Sequence, residues 1–184
     1  MATGAVARLL ETDVSDSRLH LTAATGLVVG AVLGMAGTFA PSTSLRGLAW
    51  GVDGTALVVA TALLTVYYVR RGDDLAAAGF LVFVAGEALI LASAAMELVA
   101  SAPVFTAGAS LWAASLALVS ASGAMPPLVR GVGLVASLLF AVGALQGFAG
   151  GVLTPLARPL PFFAYPFLAA TLCGWAWVHY RKTV

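Results

Sequence analysis

Glu87 is the residue most suited to chemistry, because it sits inside an apolar run, Leu75 to Val99, long enough to cross a bilayer as a helix. It lies twelve positions after Leu75, about 18 Å at 1.5 Å per residue, near the middle of a ~30 Å hydrocarbon core. No Lys, Arg or His is expected at that depth in any apolar run. A lone carboxylate there is costly as an anion, so the neutral acid is the expected resting form unless water or a cation reaches it. Two readings follow: a proton-relay or cation-coordinating acid, or a neutral carboxyl bonded to a neighbouring helix.

Asp53 and Glu97 form a second group. Asp53 lies five residues, or about 8 Å of helix rise, inside an apolar run that starts at Leu48, and Glu97 is about as shallow at the end of the third run. Glu97 shares a seven-residue face with Gly79, Gly86 and Ser93, so it is expected to face a packed neighbour. Two carboxylates at similar depth can hold a hard cation through oxygen. The plainer reading is favoured: Asp53, between Gly51 and Gly54, caps a helix, or Arg46 and Arg158 pair with the acids. Gln146, the one Gln of the chain, either lines a polar cavity with Glu97 or bonds across helices. Thr55, Thr61, Thr65, Ser110, Ser115 and Ser120 add hydroxyls that can equally satisfy their own helix backbone.

His20 and His179 fall at one common depth, at the start of the first apolar run and the end of the last. A shared metal or haem is conceivable there, but solvated boundary histidines beside Arg181 and Lys182 are the favoured reading. No cofactor or metal is expected. The single Cys173 excludes an intrachain disulfide and a thiolate cage. Gly131-Val132-Gly133-Leu134-Val135-Ala136 fits a dinucleotide-binding pattern, but it opens an apolar run with no preceding strand. Gly108-Ala109-Ser110-Leu111-Trp112 lacks the last Gly of a nucleophile elbow.

The elements that must position these residues are helices in lipid. Of 184 residues, 61% are apolar and 9% charged, with a net charge of +1 and a mean hydropathy of +1.01. That charged fraction is far below the ~25% of soluble domains, and a near-neutral chain offers no basic surface to nucleic acid. Six spans are expected, at Leu21 to Ala40, Leu48 to Val69, Leu75 to Val99, Val104 to Ser122, Val132 to Phe148 and Pro161 to His179. They make residues 21–180 one all-α, six-helix transmembrane bundle with short loops. Residues 1–20 form an N-terminal segment and 181–184 a tail. Ala5 to Val14 carries an apolar stripe that reads either as an interfacial helix or as a polar tail. The first span is expected to be retained and not cleaved as a signal.

Six spans put Arg8, Arg18, Arg70, Arg71, Arg130, Arg181 and Lys182 on one side and only Arg46 and Arg158 on the other. By the positive-inside bias both termini are expected in the cytoplasm. The chain has no Asn and is rich in Ala, Gly, Val and Leu, a bias that suggests a bacterial inner-membrane protein. Phe162, Phe163 and Tyr165, with Trp175, Trp177 and Tyr180, mark the two ends of the sixth span as interfacial anchors.

In lipid, helices associate through small residues. Thr22, Gly26, Gly30, Gly34 and Thr38 recur every four residues, a groove for another backbone of this chain, which is favoured, or of a second copy in a homo-oligomer. Gly79 and Gly86 begin a seven-residue rhythm suited to left-handed crossings. The expected partners are membrane lipids and a small solute or cation, not nucleic acid. Three function classes remain. The favoured one is a transporter or channel-like protein for protons, cations or a small neutral solute, using Glu87 with Asp53, Glu97 and Gln146. The others are a scaffold protein and, weakest for want of a nucleophile or metal, a membrane enzyme acting on a lipid or other hydrophobic substrate.

Overall fold

A computed structural model describes residues 2–183, with side chains described from residue 16 onward. The stripe expected between Ala5 and Val14 lies outside the described side chains. Six helices make up the described chain: α1 (Ala2–Thr38), α2 (Thr43–Arg70), α3 (Asp74–Ala94), α4 (Ala102–Ala121), α5 (Pro127–Phe148) and α6 (Tyr165–Tyr180). Among the described residues there is no strand. Five of the helices are long and apolar enough to cross a membrane. The exception is α6, whose 16 residues rise only about 24 Å.

Each helix packs on its chain neighbours, and α6 closes the ring onto α1. The middle of α1, at His20, meets the end of α6, at His179, at one end of the ring, here called the terminal end. Connections α1–α2, α3–α4 and α5–α6 lie at the far end. The ring turns aliphatic side chains outward, with Val32, Leu81, Leu138 and Leu145 all exposed, as lipid requires. Inward, it is filled by aromatics. Phe80 meets Trp175 edge-on with centroids 4.9 Å apart, Phe83 bridges Trp175 and Trp112, and Trp112 meets Phe140 at 5.3 Å. Centroid separations of about 4.5–7 Å suit the ring quadrupoles.

The small-residue ladder of α1 receives α2 of the same chain. A Cβ on Gly26 would stand 2.8 Å from the carbonyl oxygen of Ala56, one on Gly30 would run into Leu57, and one on Gly34 would stand 2.8 Å from Asp53 Oδ2. In the α3–α4 seam, Gly79 lies against Val119, and Gly86 and Gly108 lie against each other's carbonyls.

α1 and α5 begin ahead of the expected spans, at Ala2 and Pro127 and not Leu21 and Val132, and three other boundaries differ as well. α2 begins at Thr43 and not Leu48, because Ser42 Oγ accepts the Leu45 N–H at 3.2 Å and starts the helix earlier. α3 ends at Ala94 and not Val99: Ala95 N–H turns to Ala92 O and Met96 N–H to Ser93 O, a 3₁₀-type tightening that closes the helix. α6 begins at Tyr165 and not Pro161, since Pro159 and Pro161 lack amide donors and bias their predecessors away from helix. The chain from Ala157 to Ala164 closes instead through turn bonds, with Phe162 N–H to Ala157 O and Ala164 N–H to Pro161 O.

Candidate functional site

The boundary shifts decide where the acids fall. α2 runs from the far end toward the terminal end and α3 returns. Starting α2 at Thr43 places Asp53 ten residues in (53 − 43), about 15 Å from the far end. Ending α3 at Ala94 places Glu87 seven residues (94 − 87), about 10 Å, from that same end. Two shifts of five residues bring the carboxyls to within about one helical turn of each other along the bundle, and both line one partly open cavity of about 60 Å³. By the measure in which one water needs roughly 10–15 Å³, it holds a few waters or a small solute. Trp50, Trp112, Phe105 and Tyr165 share its wall, with Gly34, Ser93 and Pro155.

Glu87 is 1% exposed. Its Oε2 accepts the indole N–H of Trp112 at 3.0 Å, and its Oε1 stands 3.1 Å from where a Cβ of Gly54 would be. Gly54 is the gap in α2 that admits this carboxyl. Asp53 lies mid-helix, so the capping reading is set aside. Its Oδ1 is buried and, among the described residues, has no hydrogen-bond partner. The arginines expected as partners go elsewhere: Arg46 Nη2 donates to Ala40 O at 3.3 Å, and Arg158 lies over the ring of Phe162 at 4.3 Å. Around the two acids, Trp50 donates to Gly34 O at 3.3 Å and Tyr165 donates to Pro155 O at 2.8 Å. The cavity thus offers one carboxyl oxygen with no donor beside a second carboxyl, in a wall otherwise apolar and aromatic.

Replacing Trp112 by Phe removes the indole donor to Glu87 and keeps a ring against Phe83 and Phe140. Leaving Glu87 Oε2 without a donor is expected to cost about 1–3 kcal/mol, read as a lower unfolding temperature in detergent. Replacing both Trp112 and Glu87, by Phe and Leu, is expected to recover part of that loss.

Glu97 and Gln146 do not join this site. With α3 closed at Ala94, Glu97 lies exposed in the α3–α4 connection, off the Gly79–Gly86 face, where its backbone carbonyl accepts the Ser101 N–H at 2.8 Å. Gln146 lies exposed on α5; one more or one fewer residue along that helix would have turned it about 100° toward its neighbours. Most of the hydroxyls bond back to their own helices: Thr55 to Gly51 O, Thr65 to Thr61 O, Ser110 to Ala107 O. Ser115 Oγ is buried without a partner among the described residues.

Compared with protein-family models, curated proteins and solved structures, the chain matches none. Its chemistry is therefore read from its own geometry.

The histidines correct another expectation. His20 and His179 are not solvated; both are buried, and their Nδ1 atoms are 3.0 Å apart in a hydrogen bond. Among the described residues no group of three or more His, Cys, Asp or Glu side chains is placed to hold a metal. Sequence reasoning also missed Trp50 and Trp112 as parts of the cavity wall, read Tyr165 there as an interfacial anchor, and missed Gly54 as the gap beside Glu87. A Trp far from the interfacial belts, as Trp112 is, was the available signal, since a buried indole N–H needs an acceptor.

Proposed function

We propose that this protein is a transporter or channel-like protein for protons, cations or a small neutral solute, with Glu87 and Asp53 in its path. The observation that carries the reading is the pairing of two carboxyls on one partly open cavity, with Asp53 Oδ1 unpartnered among the described residues. A scaffold needs its intramembrane polar atoms satisfied by other helices. Among the described residues Asp53 Oδ1 and Ser115 Oγ are both left unpartnered, but of the two only Asp53 lines the cavity, beside a second carboxyl. Two acids with no cation placed beside them favour a cation, a proton or a hydrogen-bond donor over an anion. The setting proposed is the cytoplasmic membrane of a bacterium. Both termini lie inside, in line with Arg18, Arg70, Arg71, Arg130, Arg181 and Lys182 at the terminal end.

The test is purified protein in liposomes, challenged separately with gradients of protons, alkali cations and a small neutral solute such as glycerol. The wild type is expected to dissipate at least one gradient, and Asp53→Asn to slow that flux by about ten-fold, the effect of a charge worth about 1.4 kcal/mol to the moving species. Dissipation unaffected by Asp53→Asn places the path elsewhere.

A further inference from the structure

At the terminal end, on the other side of the aromatic filling, lies a second polar chain. His20 of α1 and His179 of α6 share their Nδ1–Nδ1 hydrogen bond, and His179 Nε2 lies 3.4 Å from the hydroxyl of Tyr68 on α2. The imidazoles are nearly parallel, with an interplanar angle of 25°, and both are buried. Asp16 is exposed and lies four residues before His20 on α1, on the same helix face. The remaining groups around the pair are Tyr67, whose ring meets His20 edge-on at 4.4 Å, Lys182, which donates to Tyr67 Oη at 3.4 Å, and Arg71. Lys182, Asp16 and Arg71 are the charged groups that act on His20.

We infer that His20, His179 and Tyr68 form a proton relay serving the terminal end of the transport path, so that the transported or co-transported ion is a proton. The inference rests on the transport reading above. An Nδ1–Nδ1 bond requires that one of the two nitrogens carries a hydrogen and the other accepts it, so the pair has two neutral arrangements of opposite direction. Starting with the hydrogen on His20 Nδ1, a proton delivered past Asp16 binds His20 Nε2, and the Nδ1 hydrogen passes to His179 Nδ1. The hydrogen on His179 Nε2 then passes to Tyr68 Oη as the phenol releases its own proton to water. One proton enters and one leaves, every group ends neutral, and the pair is left in the opposite arrangement. Phe80, stacked on Tyr68 at 5.5 Å, begins the aromatic layer that separates this relay from the Asp53–Glu87 cavity. That layer is the dry barrier which water must cross for a proton to traverse the bundle.

The experiment follows proton entry into liposomes loaded with a pH-sensitive dye, for wild type, His179→Ala and His20→Ala. Each variant is expected to slow the flux by about a hundred-fold or more, the lower end of what a positioned proton carrier contributes. Added 4-methylimidazole, filling the space left by the ring, is expected to restore it to within about three-fold. Rescue by a soluble base separates a relay from packing alone. If His179→Ala does not fold, His20→Ala and Asp16→Asn carry the test, the latter slowing entry without touching the buried core. Flux equal to wild type in folded histidine variants, or a loss that imidazole leaves unchanged, overturns the relay. If the wild type moves another cation or solute at a rate indifferent to both histidines, the relay falls and transport stands. If the wild type moves nothing, both fall.

Discussion

Glu87→Gln is expected to lower flux through the reconstituted protein about a hundred-fold or more, the scale on which loss of a group that takes up and releases protons is felt. The fold should survive the change. Gln has nearly the volume of Glu, and its amide oxygen can accept the Trp112 indole N–H that Oε2 accepts at 3.0 Å. The buried site carries no extra charge in either form if the acid is neutral at rest, so unfolding in detergent should shift by no more than about 1 kcal/mol. The amide cannot lose a proton or offer a cation an anionic ligand, and that is the property under test. A scaffold would show the same small shift in stability and have no flux to lose.

The second large effect is expected at Gly54. A Cβ there would stand 3.1 Å from both Glu87 Oε1 and Leu91 Cδ1, so the two γ-methyls of a Gly54→Val variant have no room unless α3 moves away. Overpacking of this kind costs about 1–3 kcal/mol, only slightly offset by the better helix propensity of Val over Gly. The variant should also lose flux, because it displaces the carboxyl from its Trp112 donor. Gly51 supplies the contrast, since nothing lies within 4 Å of the position its Cβ would take. Gly51→Ala should stabilise α2 by up to about 1 kcal/mol and leave flux alone. Thermal unfolding and flux measured on both variants separate a generic effect of filling glycines from the specific gap that admits Glu87.

The number of helices was legible in the sequence because twenty-residue apolar runs and Pro-Gly punctuation are strong signals in a chain this poor in charge. Helix ends were less so. The cap at Ser42 and the tight turn after Ala94 are made by one or two hydrogen bonds each, which hydropathy does not register. Those ends were decisive for the site: they withdrew Glu97 from the third helix and brought Asp53 and Glu87 within about one helical turn of each other. Gln146 was drawn toward the cavity by its chemistry alone, whereas its place on α5 turned it to the exposed face. The histidines shared a depth in the sequence, but only closure of the ring by α6 against α1 could put them in contact. Glu87 itself was legible because a carboxyl within an apolar span is rare and costly.

The most direct measurement is the rate at which an imposed proton gradient collapses in sealed vesicles containing the wild-type protein, beside protein-free vesicles and vesicles containing Glu87→Gln. Transport past the paired carboxyls requires the wild type to collapse the gradient well above the protein-free rate and Glu87→Gln to fall back close to it. Equal rates in all three preparations, or equally fast collapse with and without the Glu87 carboxyl, would contradict it.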